Sequence, residues 1–260
     1  MRKLLSVNLV QLLRDKIFWA ALAFMAISTA ILVVSTYNMV SFYGYDPGEW
    51  TAEASMFCML PGLGIINAIW LHLLIGNDFD QGTIRNKLIC GHRRSAIFFS
   101  HWLTAAIGSL LLLAVSLSIG TLLSGYLFRT FTYGATAIAW FYLCCALLTI
   151  AYSAISVALA MNIGHKASSV VCGMLVMLAL SICASIVGTL LSDLRNTTWE
   201  PVTLKDHLVL FVYDLLPSGQ CMQINNLMFE HAGRWPLYSL LLIVIVTGIG
   251  YLLFKRKDIK

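Results

Sequence analysis

The stretch IFFSHWLTAAIGSLLLLAVSLSIGTLL, residues 97–123, decides which solvent this chain folds in. It holds no Asp, Glu, Lys, Arg, Cys or Tyr, and His101 is its one ionisable group. A helix needs roughly 20 apolar residues to cross the hydrocarbon core of a bilayer, and this run exceeds that. A membrane-spanning strand would instead show segments of about 10 residues alternating in polarity. The run is continuous and rich in Leu, Ala and Ile, so it reads as a transmembrane helix.

Five further stretches read the same way: residues 17–37, 54–76, 135–161, 167–191 and 237–254. The composition of the whole chain agrees. Of 260 residues, 59% are hydrophobic and only 11% charged, with a mean hydropathy of +0.83, whereas soluble domains carry about 25% charged residues. The fold class is therefore an all-α membrane protein with six transmembrane helices in a single domain, 1–260. The first span is too long for a cleaved signal peptide, whose apolar core runs to about 15 residues at most.

Lys and Arg set the orientation. Thirteen of the 17 fall at the N-terminus, in the second and fourth loops and at the C-terminus. Arg129, Arg195, Lys205 and Arg234 alone fall on the other side. Both termini are thus expected in the cytoplasm. Acidic residues divide the other way, so the net charge of +5 records orientation and gives no reason to expect nucleic acid. Aromatics at the span ends read as interfacial anchors: Phe18, Trp19, Phe98, Phe99, Trp102, Tyr251 and Phe254 inside, Tyr43, Tyr45, Trp50, Tyr126, Phe128, Tyr133, Trp235 and Tyr238 outside.

The spans lack the parts of most membrane machines. None contains Asp, Glu, Lys or Arg, the groups that ion-coupled carriers and proton pumps hold at membrane depth. His72 and His101 sit near inner ends and read as interfacial. No H-E-x-x-H pair and no G-x-S-x-G elbow occurs, so no catalytic or metal residues are assigned. The seven cysteines form no C-x-x-C, and only Cys221 falls in an external segment, so a disulfide framework is not expected. Scattered Met and Cys read as apolar filler. No Gly-Lys dipeptide exists, which rules out a Walker A phosphate loop in this sequence.

Two loops carry information. The first is NDFDQGTIRNKLICGHRRS, residues 77–95, dense in charge and turn residues. Thr83 is placed to cap a short helix from Ile84 to Cys90, with Gly91 as its stop and Ile84, Leu88 and Ile89 on one face. The second is the outer segment 192–234. Its apolar stretch 207–216 is too short to span and is followed by Pro217-Ser218-Gly219-Gln220, which suggests a re-entrant or interfacial helix. Asn196-Thr197-Thr198 is a formal glycosylation sequon. At the N-terminus, Leu5, Leu9, Leu12 and Leu13 share a face, with Asn8, Gln11, Arg14 and Asp15 largely opposite, a modest amphipathic helix.

These features together resemble the ABC-2 type transporter permeases, the membrane subunits of ATP-driven exporters. In that family the first cytoplasmic loop carries an acidic residue, Gly-Thr, a short basic helix, a small residue or Pro, and a further Arg. Asp78 or Asp80, Gly82, Thr83, Ile84, Arg85, Asn86, Lys87, Leu88, Gly91 and Arg94 follow that order, with Gly91 where many members have Pro. The resemblance implies that 77–96 is a coupling loop seated in a cleft of an ATPase subunit. It implies an elbow helix at 1–16 and two short half-membrane helices in 192–234. It also places Asp214, Pro217, Gly219 and Gln220 at an outer gate, matching a D-x-x-P-x-G-like turn. The C-terminal Phe254–Lys260 is a typical family ending.

By that resemblance the chain is not itself an enzyme and carries no cofactor. ATP and Mg belong to a separate ABC ATPase, and a second permease copy or a homologous permease completes the pathway in a bilayer, in a bacterial plasma membrane. Pro61 and Gly62 are expected to let span two bend, since Pro removes an intrahelical hydrogen bond. The small residues Ser116, Gly120 and Ser124, and Ser181 and Ser185, suit close helix contacts within or between protomers. Uncharged spans suit an amphiphilic or peptide-like substrate, and small permeases of this family often export antimicrobial peptides or confer immunity to them. A non-transporting scaffold or sensor, and an ATP-independent channel or carrier, are the alternative classes.

Overall fold

A computed structural model describes residues 2–44, 51–197, 204–227 and 232–257. Tyr45, Trp50, Thr198 of the sequon and the tail beyond Lys257 lie outside the described residues. Six helices are long and apolar enough to cross a membrane: α2 (Lys16–Phe42), α4 (Leu60–Asp80), α6 (Arg94–Phe128), α7 (Ala135–Ile163), α8 (Lys166–Thr197) and α11 (Trp235–Arg256). No strand occurs among the described residues. This is a multi-pass membrane protein. Five shorter helices complete it: α1 (Arg2–Arg14), α3 (Glu53–Met56), α5 (Thr83–Ile89), α9 (Leu204–Leu215) and α10 (Pro217–Asn225).

All six expected spans have a matching helix, most extended by a few residues. The exception is the second. Residues 54–59 belong to α3 and to a turn over Phe57–Met59, and the long helix begins only at Leu60. Pro61 therefore stands in the first turn of α4, where its missing N–H would have had no intrahelical acceptor. The bend expected from a lost hydrogen bond at Pro61 and Gly62 has no physical basis at that position. The chain breaks just before it instead.

Helix α4 is the centre of the bundle, with 67% of its apolar window buried, against 17% for α8 and 22% for α2. Lipid gives no hydrophobic drive to helix association, so close packing at small residues must supply it. The central helix uses this on three sides. Gly64 lies under the Tyr152 ring of α7, Gly108 of α6 lies under Trp70, and Gly173 of α8 lies under the His72 imidazole. At the end of the span, a Cβ on Gly76 would meet the Lys166 backbone at 2.9 Å. On α11, Gly250 packs on Ala158 of α7.

Buried hydroxyls pair across helices as well, Thr29 with Ser116 at 3.0 Å and Ser55 with Ser124 at 2.9 Å. Gly120, between those two serines, lies against the Met56 carbonyl. The Ser116, Gly120, Ser124 stripe is thus consumed inside one chain.

Several expected anchors are core residues. Phe18, Phe98, Phe128, Trp235 and Phe254 are all fully buried, and Phe98 contacts Phe99, Tyr251 and Phe254 where α6 meets α11. Trp19 does keep an exposed ring, its indole N–H donating to the Leu13 carbonyl at 2.8 Å. His72 is a core residue too, its Nδ1 2.6 Å from the Ala68 carbonyl of its own helix.

Candidate functional site

The end of the bundle that carries both chain termini is built around the turn from α4 to α6. Gly82 takes a left-handed conformation, φ 66°, which reverses the chain after α4 at no Cβ cost. Thr83 is the first residue of α5 and does not cap it. Its hydroxyl reaches back and donates to the Asp78 carbonyl at 2.9 Å, pinning α5 to the end of α4. The stop is as expected: Gly91, φ 84°, closes the helix, with the His92 N–H donating to the Lys87 carbonyl at 3.2 Å.

Under this turn lies a buried polar cluster drawn from four helices. The Asp78 carboxylate, in the last turn of α4, accepts from Gln11 Nε2 of α1 at 2.8 Å and from Lys87 Nζ of α5 at 3.4 Å. Lys87 also donates to Asn8 Oδ1 of α1 at 3.1 Å, and Asn8 Nδ2 donates to Ser100 Oγ of α6 at 3.2 Å. His101 Nε2 of α6 stands 3.4 Å from both Lys87 Nζ and the Asp78 carboxylate. As an acceptor it serves the ammonium and as a donor the carboxylate, but one nitrogen cannot do both at once. Asp78, Asn8 and His101 are all buried. A charge so placed is tolerated only when paired and hydrogen-bonded, and here the pairing fastens α1, α4, α5 and α6 together.

This cluster revises the faces read from the sequence. Asn8 and Gln11, expected on the wet side of α1, turn inward to it. The side of α1 that faces away carries Val7, Val10 and Leu13. His101 is a buried partner of the ion pair. On α5, Ile84 and Leu88 point inward, but Ile89 is 73% exposed. The outward face of the α5 turn therefore consists of Arg85, Asn86, Ile89, Cys90, His92 and Arg93.

Two further basic residues at this end, Arg94 and Lys257, cap helix C-termini, where carbonyls lack partners. Arg94 Nη1 donates to the carbonyls of Phe254 at 3.2 Å and Lys255 at 3.0 Å, and to that of Lys257. Lys257 Nζ donates to the Met161 carbonyl at the end of α7 at 3.0 Å and lies 4.4 Å from the Phe79 ring centre. Burial pushes the Lys257 pKa down. Arg94 is thus tied to α11, while Asp80, also expected in the coupling loop, lines a groove beside the start of α8.

At the opposite end, α9 and α10 meet at Leu216–Pro217, and Asp214, Pro217, Gly219 and Gln220 come together. The Asp214 backbone carbonyl accepts from Gln220 Nε2 at 2.7 Å, and its carboxylate accepts from Gln223 Nε2 at 3.0 Å. Gln220 Oε1 in turn accepts from Ser239 of α11 at 2.8 Å. Any Cβ at Gly219 would collide with the Tyr213 carbonyl, so this glycine is required by contact. Ser218 donates to the Leu180 carbonyl at 2.6 Å, midway along the apolar window of α8. Cys221, expected outside, is buried near Cys145 and Tyr152 in the middle of α7.

Glu53 belongs to none of the motifs singled out above. It is buried, and its Oε1 accepts from the Thr132 and Tyr133 amides at 2.8 and 2.9 Å, tying α3 to the loop before α7. In the turn before α4, burial raises the pKa of the Cys58 thiol to about 11. All seven cysteines are free. No group of three or more His, Cys, Asp or Glu side chains able to hold a metal occurs among the described residues. A scan against protein-family models gives no match to this chain, and a search of curated proteins gives none either.

Proposed function

We propose that this chain is the membrane subunit of an ATP-driven exporter of the ABC-2 type, paired with a second permease copy and served by a separate ATPase. The observation that carries this reading is the α4–α5–α6 turn. A short helix projects an exposed basic and apolar face beyond the bundle, and a buried ion pair fastens it to two spans and to the N-terminal helix. A force applied to α5 would move the ends of α4 and α6 with it, because a packed junction of this kind transmits displacement as a unit. With the cytoplasm on the Lys- and Arg-rich side, that face meets soluble partners.

Two other features support the reading. Helix α1, held to α6 through Asn8 and Ser100, serves in this reading as the interfacial elbow. In this reading α9 and α10 form the re-entrant pair, with Ser218 bonded to α8 and Gln220 to α11, as membrane depth demands of buried polar groups. The Asp214–Gln220 junction then serves as the outer gate. The substrate class is amphiphilic or peptide-like, consistent with export of an antimicrobial peptide or immunity to one.

The test is the variant Arg85→Glu, co-purified and assayed with the cognate ABC ATPase. Arg85 is exposed, so its reversal leaves the fold intact, and the expected result is loss of assembly and of permease-dependent ATP hydrolysis. Unchanged assembly and hydrolysis would remove the coupling role and favour a scaffold.

A further inference from the structure

The end of α4 and the start of α8 enclose a groove of about 600 Å³, lined by Leu73, Asp80, His165, Lys166, Val170 and Val171, with Ala167 at its side. Its two halves differ. Leu73, Val170 and Val171 belong to the apolar parts of their spans, and Val171 is 57% exposed. Asp80 closes α4, while His165 and Lys166 open α8, so the polar half lies at the end of the spans, at headgroup depth. Asp80 and Lys166 carry opposite charges into one groove, yet no ion pair joins them, and neither has another charged partner among the described residues. The Lys166 stem is held against Gly76, which fixes where its ammonium can reach.

We infer that this groove binds one phospholipid with a primary-amine headgroup, in the leaflet that faces both chain termini. Such a headgroup carries an ammonium and a phosphate a few ångströms apart. The ammonium pairs with the Asp80 carboxylate, and the phosphate pairs with Lys166, assisted by His165 and the positive end of α8. One acyl chain then follows Leu73, Val170 and Val171 along the α4–α8 seam. Those valines and that leucine distinguish a lipid from free phosphoethanolamine, which would leave the apolar wall bare. The carboxylate distinguishes it from an anionic lipid, since basic sites at this depth without one take anionic headgroups. The inference stands whether or not the chain is a permease.

The test is native mass spectrometry of the full chain with phosphatidylethanolamine and phosphatidylglycerol titrated in turn. The expected result is one retained phosphatidylethanolamine per chain, preferred over phosphatidylglycerol by about tenfold, one such factor for each ~1.4 kcal/mol. Asp80→Asn should abolish that preference. Lys166→Gln, which keeps the stem against Gly76, should weaken both lipids. Val171→Trp fills the apolar half with both charges in place and should release the lipid. Equal retention of the two lipids by the wild type would overturn the proposal. So would unchanged retention in Asp80→Asn/Lys166→Gln, or a groove occupied by a second copy of the chain.

Discussion

Replacing Lys87 by Met tests whether the buried cluster is the fastener it is taken to be. The substitution keeps the aliphatic stem and removes the ammonium that joins Asp78 to Asn8. The Asp78 carboxylate, 1% exposed, is left with Gln11 at 2.8 Å and the His101 imidazole at 3.4 Å. Removing one partner of a buried ion pair costs about 3–5 kcal/mol. Two facts place this pair at the low end. The Lys87 side chain keeps 14% exposure, and its 3.4 Å separation from Asp78 is longer than the ~2.7–2.9 Å of strong charge-assisted bonds. The expected loss is therefore about 3 kcal/mol. Asp78→Asn should cost less, about 1–2 kcal/mol, because Lys87 keeps Asn8 and a path to solvent. The double variant should fall short of the sum by about 1–2 kcal/mol, the coupling between contacting residues. Reversible unfolding in mixed micelles, titrated with a denaturing detergent, reads all four proteins. A loss below ~0.5 kcal/mol for Lys87→Met, or strict additivity in the cycle, would refute the reasoning.

Gly219→Ala should open the α9–α10 junction, because its Cβ overlaps the Tyr213 carbonyl, and overpacking of this kind costs about 1–3 kcal/mol; a lowered melting temperature with faster amide exchange in residues 213–224 checks it. Arg94→Ala should leave three carbonyls at the end of α11 without their cap, at about 1–2 kcal/mol, seen as faster amide exchange over the last turn before Lys257 and partly rescued by Arg94→Lys. The Cys58 thiol, raised to about 11 by burial, should resist maleimide at pH 8. The thiolate is the reactive form, so its labelling rate should climb about tenfold per pH unit as pH approaches that value, while exposed Cys90 labels readily.

What was legible in the sequence follows from what lipid requires. A span must be long and apolar, so all six helices could be placed within a few residues. The same requirement hides which side of each helix meets protein. With apolar residues all round α2, α6 and α11, nothing in the pattern separates Phe98 and Phe254, which are core, from Trp19, which is exposed. The break at Phe57–Met59 was harder to see, since residues 54–76 carry no Asp, Glu, Lys or Arg, and Pro61, which marks the first turn of α4, reads equally as a bend within one span.

The turn from α4 to α6 was legible in its punctuation, Gly82 and Gly91, because glycine marks left-handed positions. Its inner side was not. Asn8 and Gln11 looked solvated because a polar residue on an amphipathic helix usually is. Only the arrival of Asp78 and Lys87 from sequence positions far along the chain turns that face inward. At the other end, Asp214, Pro217 and Gly219 marked a turn, but its burial against Leu180 depends on where α8 stands.

As proposed, the outward face of α5 seats in a nucleotide-binding partner. The most direct test of that seating is a photo-crosslinking phenylalanine analogue in place of Ile89, which is 73% exposed, activated in native membranes. The expected product is an adduct with a protein that carries a Walker A loop and hydrolyses ATP. Adducts confined to lipid, or to proteins without a nucleotide site, would contradict the proposed seating.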